Sequence, residues 1–282
     1  MEIIKTLDEM KTCSRKAREN GKTLGLVPTM GYLHEGHLSL ARKSIGTCDQ
    51  TVVSIFVNPK QFGPNEDLNT YPRNLEADQR ELEQLGVNAL FFPTADEMYP
   101  EGFQTYVHVE EITDKLCGES RRELFRGVTT IVLKLFNTVQ PHSAFFGEKD
   151  RQQLEVIRKM VVDLNLDIEI VGLPIIREAD GLAMSSRNRY LGTAERKTAK
   201  SLHEALQKAQ QLVTQGESSA ETLRSRMRTI IEREGKAQVD YISVCDPKRF
   251  EELEEIQGKA MIALAVHVGK ARLIDNCLIE RI

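Results

Sequence analysis

Pro28-Thr29-Met30-Gly31-Tyr32-Leu33-His34-Glu35-Gly36-His37 is the stretch on which the fold turns. Before it, Thr23 to Val27 is a short apolar run, suited to a buried strand and ended, on this reading, by Pro28. After it, Leu38, Ala41 and Ile45 recur at helical spacing. A strand that feeds a helix through such a loop gathers backbone amides and the positive end of a helix dipole at one point, where phosphate is well received. Gly31 and Gly36 allow close backbone approach or unusual dihedrals. His34 and His37 lie three apart and share one side of the helix start. Two imidazoles there can donate hydrogen bonds to phosphate oxygens as charge develops. Two alternatives stand beside this one. The histidines can be two loop residues without a common role. They can also be half of a zinc site, although zinc wants a third ligand and commonly a wider spacing, and none is evident nearby.

Outward from that loop the same alternation repeats. Val52–Val57, Ala89–Phe92, Ala144–Phe146 and Ile168–Val171 read as strands. Between them lie helical patterns: Leu75, Leu82 and Leu85 from about Arg73, then Val128, Ile131, Val132, Leu135 and Val139, then Leu154, Ile157, Val161 and Leu164. Strands separated by helices of this length predict an α/β fold, a parallel sheet with right-handed crossovers. Its ligands belong beyond the carboxyl ends of the strands. After about Arg177 the pattern changes. Ala199, Leu202, Leu206, Ala209 and Val213 mark one amphipathic helix, and Leu223, Met227 and Ile230 another. Three strand-like runs follow, at Val239–Val244, Ala260–Val268 and Ala271–Ile279. Two domains are expected: residues 1–176, and a smaller C-terminal α+β domain over 177–282.

Composition narrows the partners. An apolar fraction of 40% and a charged fraction of 28% are those of a globular protein. The formal net charge is −4 and there is no basic stripe, which argues against nucleic acid as the main partner. Cys13, Cys48, Cys117, Cys245 and Cys277 are scattered and never form C-x-x-C, so neither a disulfide framework nor a zinc site is expected. Reduced thiols and the lack of a signal-like start point to the cytoplasm. No apolar run reaches the roughly 18 residues of a membrane helix, so no membrane partner is expected. There is no G-x-S-x-G elbow and no G-x-x-x-x-G-K-[ST] loop.

Three further stretches carry chemistry. Gly147-Glu148-Lys149-Asp150 ends a predicted strand: Lys149 is a mobile cation for phosphate, and Asp150 can accept from ribose hydroxyls. Read alone, it is equally a charged turn with a helix cap. Gln152 and Gln153 follow, with amides able to grip a carboxylate or hydroxyl. Met184-Ser185-Ser186-Arg187-Asn188 sets two hydroxyls beside a guanidinium, which suits a polyphosphate, or else forms a polar linker. Asn58 and Gln61 follow the second predicted strand on the ligand edge. Glu76 and Asp78 are carboxylates that could assist a metal ion, with exposed helix charges as the plainer reading.

Taken together, PTMGYLHEGH at 28–37, SIFVNPKQF at 54–62, YPR at 71–73, GEKDRQQ at 147–153, GLAMSSRN at 181–188 and ARLIDN at 271–276 resemble the pantothenate synthetase (pantoate–β-alanine ligase) family, in family order and over nearly the full length. H-x-G-H alone marks only the wider nucleotidyltransferase superfamily. The resemblance implies a Rossmann-like parallel sheet with helices on both faces, the C-terminal domain closing over the active site, and a homodimer. It implies that ATP, with Mg2+, activates pantoate as pantoyl-adenylate, which β-alanine then attacks. It places Met30, Gly31, Tyr32, Leu33, His34, Glu35, Gly36 and His37 at ATP, with His37 as a proton donor. Gly147, Glu148, Lys149, Asp150, Ile176, Met184, Ser185, Ser186 and Arg187 join that site. His34, His37, Lys149 and Arg187 are the catalytic candidates, and Gln61, Gln153 and Asn58 the substrate contacts. Where the family often has Arg-Pro-Gly-His-Phe, this chain has Arg121-Arg122-Glu123-Leu124-Phe125, which is expected to form a mobile cover.

Overall fold

The computed structural model describes residues 1–64 and 66–281. The chain forms two compact units, one of Met1–Thr113, Arg121–Glu148 and Gln152–Pro174, the other of Asp114–Ser120, Lys149–Arg151 and Ile175–Ile282.

The elements as far as Leu173 run β1 (Glu2–Ile4), α1 (Leu7–Glu19), β2 (Leu24–Thr29), α2 (Glu35–Ile45), β3 (Gln50–Ile55), α3 (Leu75–Leu85), β4 (Ala89–Phe91), α4 (Ala95–Met98), α5 (Cys117–Ser120), α6 (Leu124–Val139), β5 (Ser143–Gly147), α7 (Arg151–Asp163) and β6 (Glu169–Leu173). The six strands make one parallel sheet in the order β1-β4-β3-β2-β5-β6. From β2 the chain steps one way to β3 and β4, and from β5 the other way to β6. Right-handed crossovers therefore send α2 and α3 to one face and α1, α6 and α7 to the other. The observed packing of α2 on α3 and of α1 on α6 follows that division. A sheet covered on both sides needs apolar residues without alternation. The central strands comply: positions 24–27 of β2 and 51–55 of β3 are buried in unbroken succession.

The reversal of direction falls between β2 and β5. Their pairing runs only from Gly25↔Ser143 to Leu26↔Ala144, three residues short of either strand's end. Pro28 does not stop β2, as the sequence reading expected; the strand continues to Thr29. The Thr23 and Thr29 carbonyls bond to β3, at Gln50 and Phe56, whereas the Leu24 carbonyl bonds to His142. Even-numbered residues thus face β5. The missing N–H of Pro28 falls where the β5 ladder has already ended, so no bond is lost.

The second unit carries α8 (Thr193–Thr214), α9 (Ala220–Glu232), β7 (Ala237–Cys245), β8 (Lys259–Val268) and β9 (Ala271–Glu280). The strands form an antiparallel sheet in the order β7-β8-β9. Leu202, Leu206, Leu223 and Met227 from the helices share a core with Ile262, Leu264 and Leu273 from the strands. This is the small α+β unit that the C-terminal sequence pattern predicts.

Candidate active site

The H-x-G-H stretch leaves β2 at the point where β2 and β5 part. His34 is the N-cap of α2, and its Nδ1 accepts the Gly36 amide at 3.2 Å. An imidazole that accepts at Nδ1 carries its proton, when neutral, on Nε2, which can donate to a ligand. The His37 amide donates to the His34 carbonyl at 2.8 Å, and the two rings lie 4.0 Å apart between centroids. The spacing of three seen in the sequence thus becomes a ring pair at the start of a helix. Glu35 turns aside to Arg42, at 2.7 Å.

The loop between strand and helix is held from an unexpected side. Gly31 and Tyr32 both have left-handed backbones, with φ of 80° and 52°. A side chain at Gly31 would meet Ile55 Cγ2 at 2.9 Å, so glycine is required there. Tyr32 holds its strained conformation because Asp78 accepts both the Tyr32 and Leu33 amides, at 2.8 and 2.7 Å. Asp78 lies on α3 and is only 4% exposed. Burial pushes its carboxyl above the ordinary value, and the Leu33 and Tyr32 amides pull it back in part. The expectation that Asp78 is an exposed helix charge is overturned, whereas Glu76 is indeed exposed. A cavity of about 200 Å³ is lined by Met30, Tyr32, Phe56, Asp78 and Phe92 among others.

Beyond β3, Asn58 begins a single 3-10 turn, Pro59–Gln61. Its Nδ2 donates to Gln61 Oε1 at 3.1 Å and to the Gly127 carbonyl at 3.0 Å. Its Oδ1 accepts from the Lys60 amide at 3.2 Å and the Tyr99 hydroxyl at 2.9 Å. All four positions of the amide are engaged within the protein. Asn58 therefore orients Gln61 from within this network. Gln61 in turn donates from Nε2 to Met30 Sδ at 3.1 Å, which brings it to the H-x-G-H loop. Gly127 on α6 permits this arrangement, since a Cβ there would sit 2.1 Å from the Lys60 carbonyl oxygen.

Gly147 closes β5, and Glu148 follows it in the same unit. On α7, Gln152 is buried and donates to the Ile112 carbonyl at 2.9 Å, leaving the half-buried Gln153 as the more available amide. The Arg121–Phe125 stretch leads directly into α6. There Arg121 forks onto Glu66 with bonds of 2.7 and 2.5 Å. Tyr99, Asp78 and Gly127 are the contributors that no sequence motif announced.

The remaining candidates lie in the second unit. Lys149 and Asp150 occupy a 3-10 turn, with Lys149 Nζ 3.7 Å from Asp150 Oδ2. Ile176 and Met184 face each other across a hairpin: the Met184 amide donates to the Ile176 carbonyl at 3.0 Å, and Arg177 bridges Ala183. Ser185 caps the next turn by accepting the Arg187 amide at 3.3 Å, and Ser186 is buried. Asn188 donates to Glu178 and to the Ala183 carbonyl, which locks the hairpin to that turn. The segments 176 and 184–187 are thus brought together within their unit.

A parallel Rossmann-like sheet with paired histidines opening the helix at its switch point defines a nucleotide-binding protein of the H-x-G-H class. The comparisons with known proteins are more specific. Residues 2–278 match the family described as pantoate-beta-alanine ligase. The pantothenate synthetase of Geobacter sulfurreducens is 56% identical over 279 residues, covering 99% of both chains. That of Acetivibrio thermocellus is 52% identical over 280 residues, covering 99% of this chain and all of the relative. The crystal structure of pantothenate synthetase from Thermus thermophilus superposes with a TM-score of 0.93 at 42% identity, over 98% of this chain and 99% of that one. The pantoate-beta-alanine ligase of Francisella tularensis, solved with Beta-gamma ATP and Beta-alanine, gives a TM-score of 0.81 at 33% identity, over 99% and 97% of the two chains. The chain belongs to the pantoate–β-alanine ligase family, and it is a ligase.

Proposed function

We propose that this chain condenses pantoate with β-alanine at the expense of ATP, through a pantoyl-adenylate. One observation carries the site assignment: the H-x-G-H helix start stands where β2 and β5 part, the place a parallel sheet offers to a nucleotide. The full-length likeness to pantothenate synthetases supports the substrates, as does the Francisella enzyme's complex.

A carboxylate is a poor acyl donor because its leaving oxygen is basic. In the first step a pantoate carboxylate oxygen attacks the α-phosphorus and pyrophosphate leaves. In the second, the β-alanine amine attacks the acyl carbon, AMP leaves and the nitrogen sheds a proton. The first step brings anions together, so stabilisation must come from donors already in place. Nε2 of His34, together with His37, supplies donors beside the phosphates. Lys149 and Arg187 supply mobile and planar cations. Met30–His37, Gly147–Asp150, Ile176 and Met184–Arg187 are assigned to ATP, and Gln61, oriented by Asn58, with Gln153 to pantoate. A site closed to water protects the adenylate.

Magnesium is assigned to the triphosphate. Among the described residues no group of three or more His, Cys, Asp or Glu side chains is arranged to hold an ion. A dedicated cage does not fit these residues, whereas magnesium carried in on the phosphates needs none. A cytoplasmic homodimer completes the reading; among the described residues no helix is long and apolar enough to cross a membrane. The test is product formation. ATP, pantoate and β-alanine should yield AMP, pyrophosphate and pantothenate in equal amounts, with no sustained AMP release when either organic substrate is omitted. AMP formation independent of pantoate would overturn the proposal.

A further inference from the structure

The motif Ala271–Asn276 has no part in the reaction as described, yet it contains two consecutive buried polar side chains. Asp275 is 2% exposed and Asn276 7% exposed. Successive residues of a strand face opposite sides, so β9 buries one of them on each face. Asp275 shares its face with Ala271, Leu273 and Ile279, which belong to the apolar core. A carboxylate there is tolerable only if it is paired and fully bonded. It is: Arg177 donates from Nη1 to Oδ2 at 2.7 Å and from Nη2 to Oδ1 at 3.0 Å. Oδ1 also accepts the Asn276 amide at 2.8 Å, which locks the two residues together. Arg177 Nη1 extends the grip to the Gly181 carbonyl at 3.1 Å, across the hairpin that joins Ile176 to Met184. On the other face, Asn276 Nδ2 donates to the Lys149 carbonyl at 3.0 Å.

The two residues therefore seize the two stretches of this unit that the proposed function puts on the nucleotide. We infer that Asp275 and Asn276 form a positioning pair: Asn276 fixes the backbone from which Lys149 reaches the phosphates, and Asp275, through Arg177, fixes the hairpin of Ile176 and Met184. Lysine is a point charge on a flexible stem, so its root sets its reach. Neither residue is assigned contact with substrate. The inference rests on the proposed reaction, because it concerns the placement of that reaction's cation.

The test uses Asn276→Leu, which removes the donor while keeping a similar volume, alone and combined with Lys149→Met. Rates are read as pantoate-dependent exchange of pyrophosphate into ATP, and thermal melting is followed alongside. Misplacing a catalytic group by about 1 Å can cost about 100-fold, so Asn276→Leu should slow exchange by about 10- to 100-fold with the fraction folded unchanged at the assay temperature. In the Lys149→Met background the same change should cost less than about twofold, because its target is gone. Equal losses in both backgrounds would overturn the inference and leave a merely structural role. So would an undiminished rate in Asn276→Leu. If Asn276→Leu does not fold, Asn276→Ser, with a shorter donor, enters the same cycle with the same two outcomes. Wild-type protein is the control: exchange there, with no coupling between the two positions, defeats only the positioning role, whereas no wild-type exchange defeats the proposed function and this inference with it.

Discussion

Replacing Asp78 with asparagine should damage the H-x-G-H loop without touching a histidine. In the wild-type protein two carboxylate oxygens accept two amides, from Tyr32 and Leu33, at 2.8 and 2.7 Å. Asparagine keeps one acceptor and turns an NH2 donor toward the other amide. One charge-assisted bond worth about 1.5–3 kcal/mol disappears, and a buried N–H is left facing a donor. Part of that loss is returned, because asparagine does not carry the burial cost that raises the Asp78 carboxyl. A net loss of about 2 kcal/mol remains, about a 30-fold change in an equilibrium. Strain at Tyr32, with φ of 52°, directs the damage to the loop: freed of its anchor, the residue relaxes and takes His34 with it. Urea unfolding should show the lost stability, and single-turnover formation of pyrophosphate should fall by up to about 30-fold. The pH dependence has a definite sign. A carboxyl raised above its ordinary value binds its proton more tightly folded than unfolded. Stability from this group therefore falls as pH rises from the ordinary value of 3.8 through the raised one, and is level above it. The stability advantage of wild type over the variant should accordingly narrow through that acid window and stay constant toward neutrality. An Asp78→Asn protein with unchanged unfolding midpoint and unchanged single-turnover rate would refute the anchoring role.

Other perturbations have equally definite outcomes. His37→Ala should lower the adenylation rate by about 100- to 1,000-fold, the usual cost of a lost transition-state donor, while leaving the melting temperature near that of wild type. Normal single-turnover adenylate formation would contradict this. Gly127→Ala places a Cβ 2.1 Å from the Lys60 carbonyl oxygen and 2.6 Å from the Gln61 amide nitrogen. Overpacking should cost about 1–3 kcal/mol and raise the KM for pantoate more than that for ATP, as titrations of each substrate would show. Burial pushes the Cys245 and Cys277 thiols up to about 12, so a thiol-specific reagent at pH 8 should leave both unlabelled in the native protein and label both after denaturation.

The fold was legible where it depends on continuous apolar runs. The central strands and the helices α2, α3, α6 and α7 announce themselves because a doubly covered sheet demands them. The ends of the chain's first unit were less visible. β1 is three residues long, and α1 buries Met10, Ser14 and Ala17, a stripe too small and too polar to stand out. Pro28 misled because its effect depends on which neighbour it faces, a fact of pairing that no single strand contains. The histidine pair and the serine-rich turn were legible as motifs, since their chemistry lies in local spacing. The anchoring role of Asp78 was not, because it acts through bonds to residues at least 45 positions away, at Tyr32 and Leu33. A carboxylate on a helix looks solvated until the loop above it is known.

The measurement closest to the central claim is exchange of labelled pyrophosphate into ATP with pantoate present and β-alanine absent. Adenylate formation as a separate, reversible first step predicts exchange that rises with pantoate and vanishes without it. No exchange under those conditions, in protein that still makes pantothenate when β-alanine is added, would mean that the acid is not activated ahead of the amine.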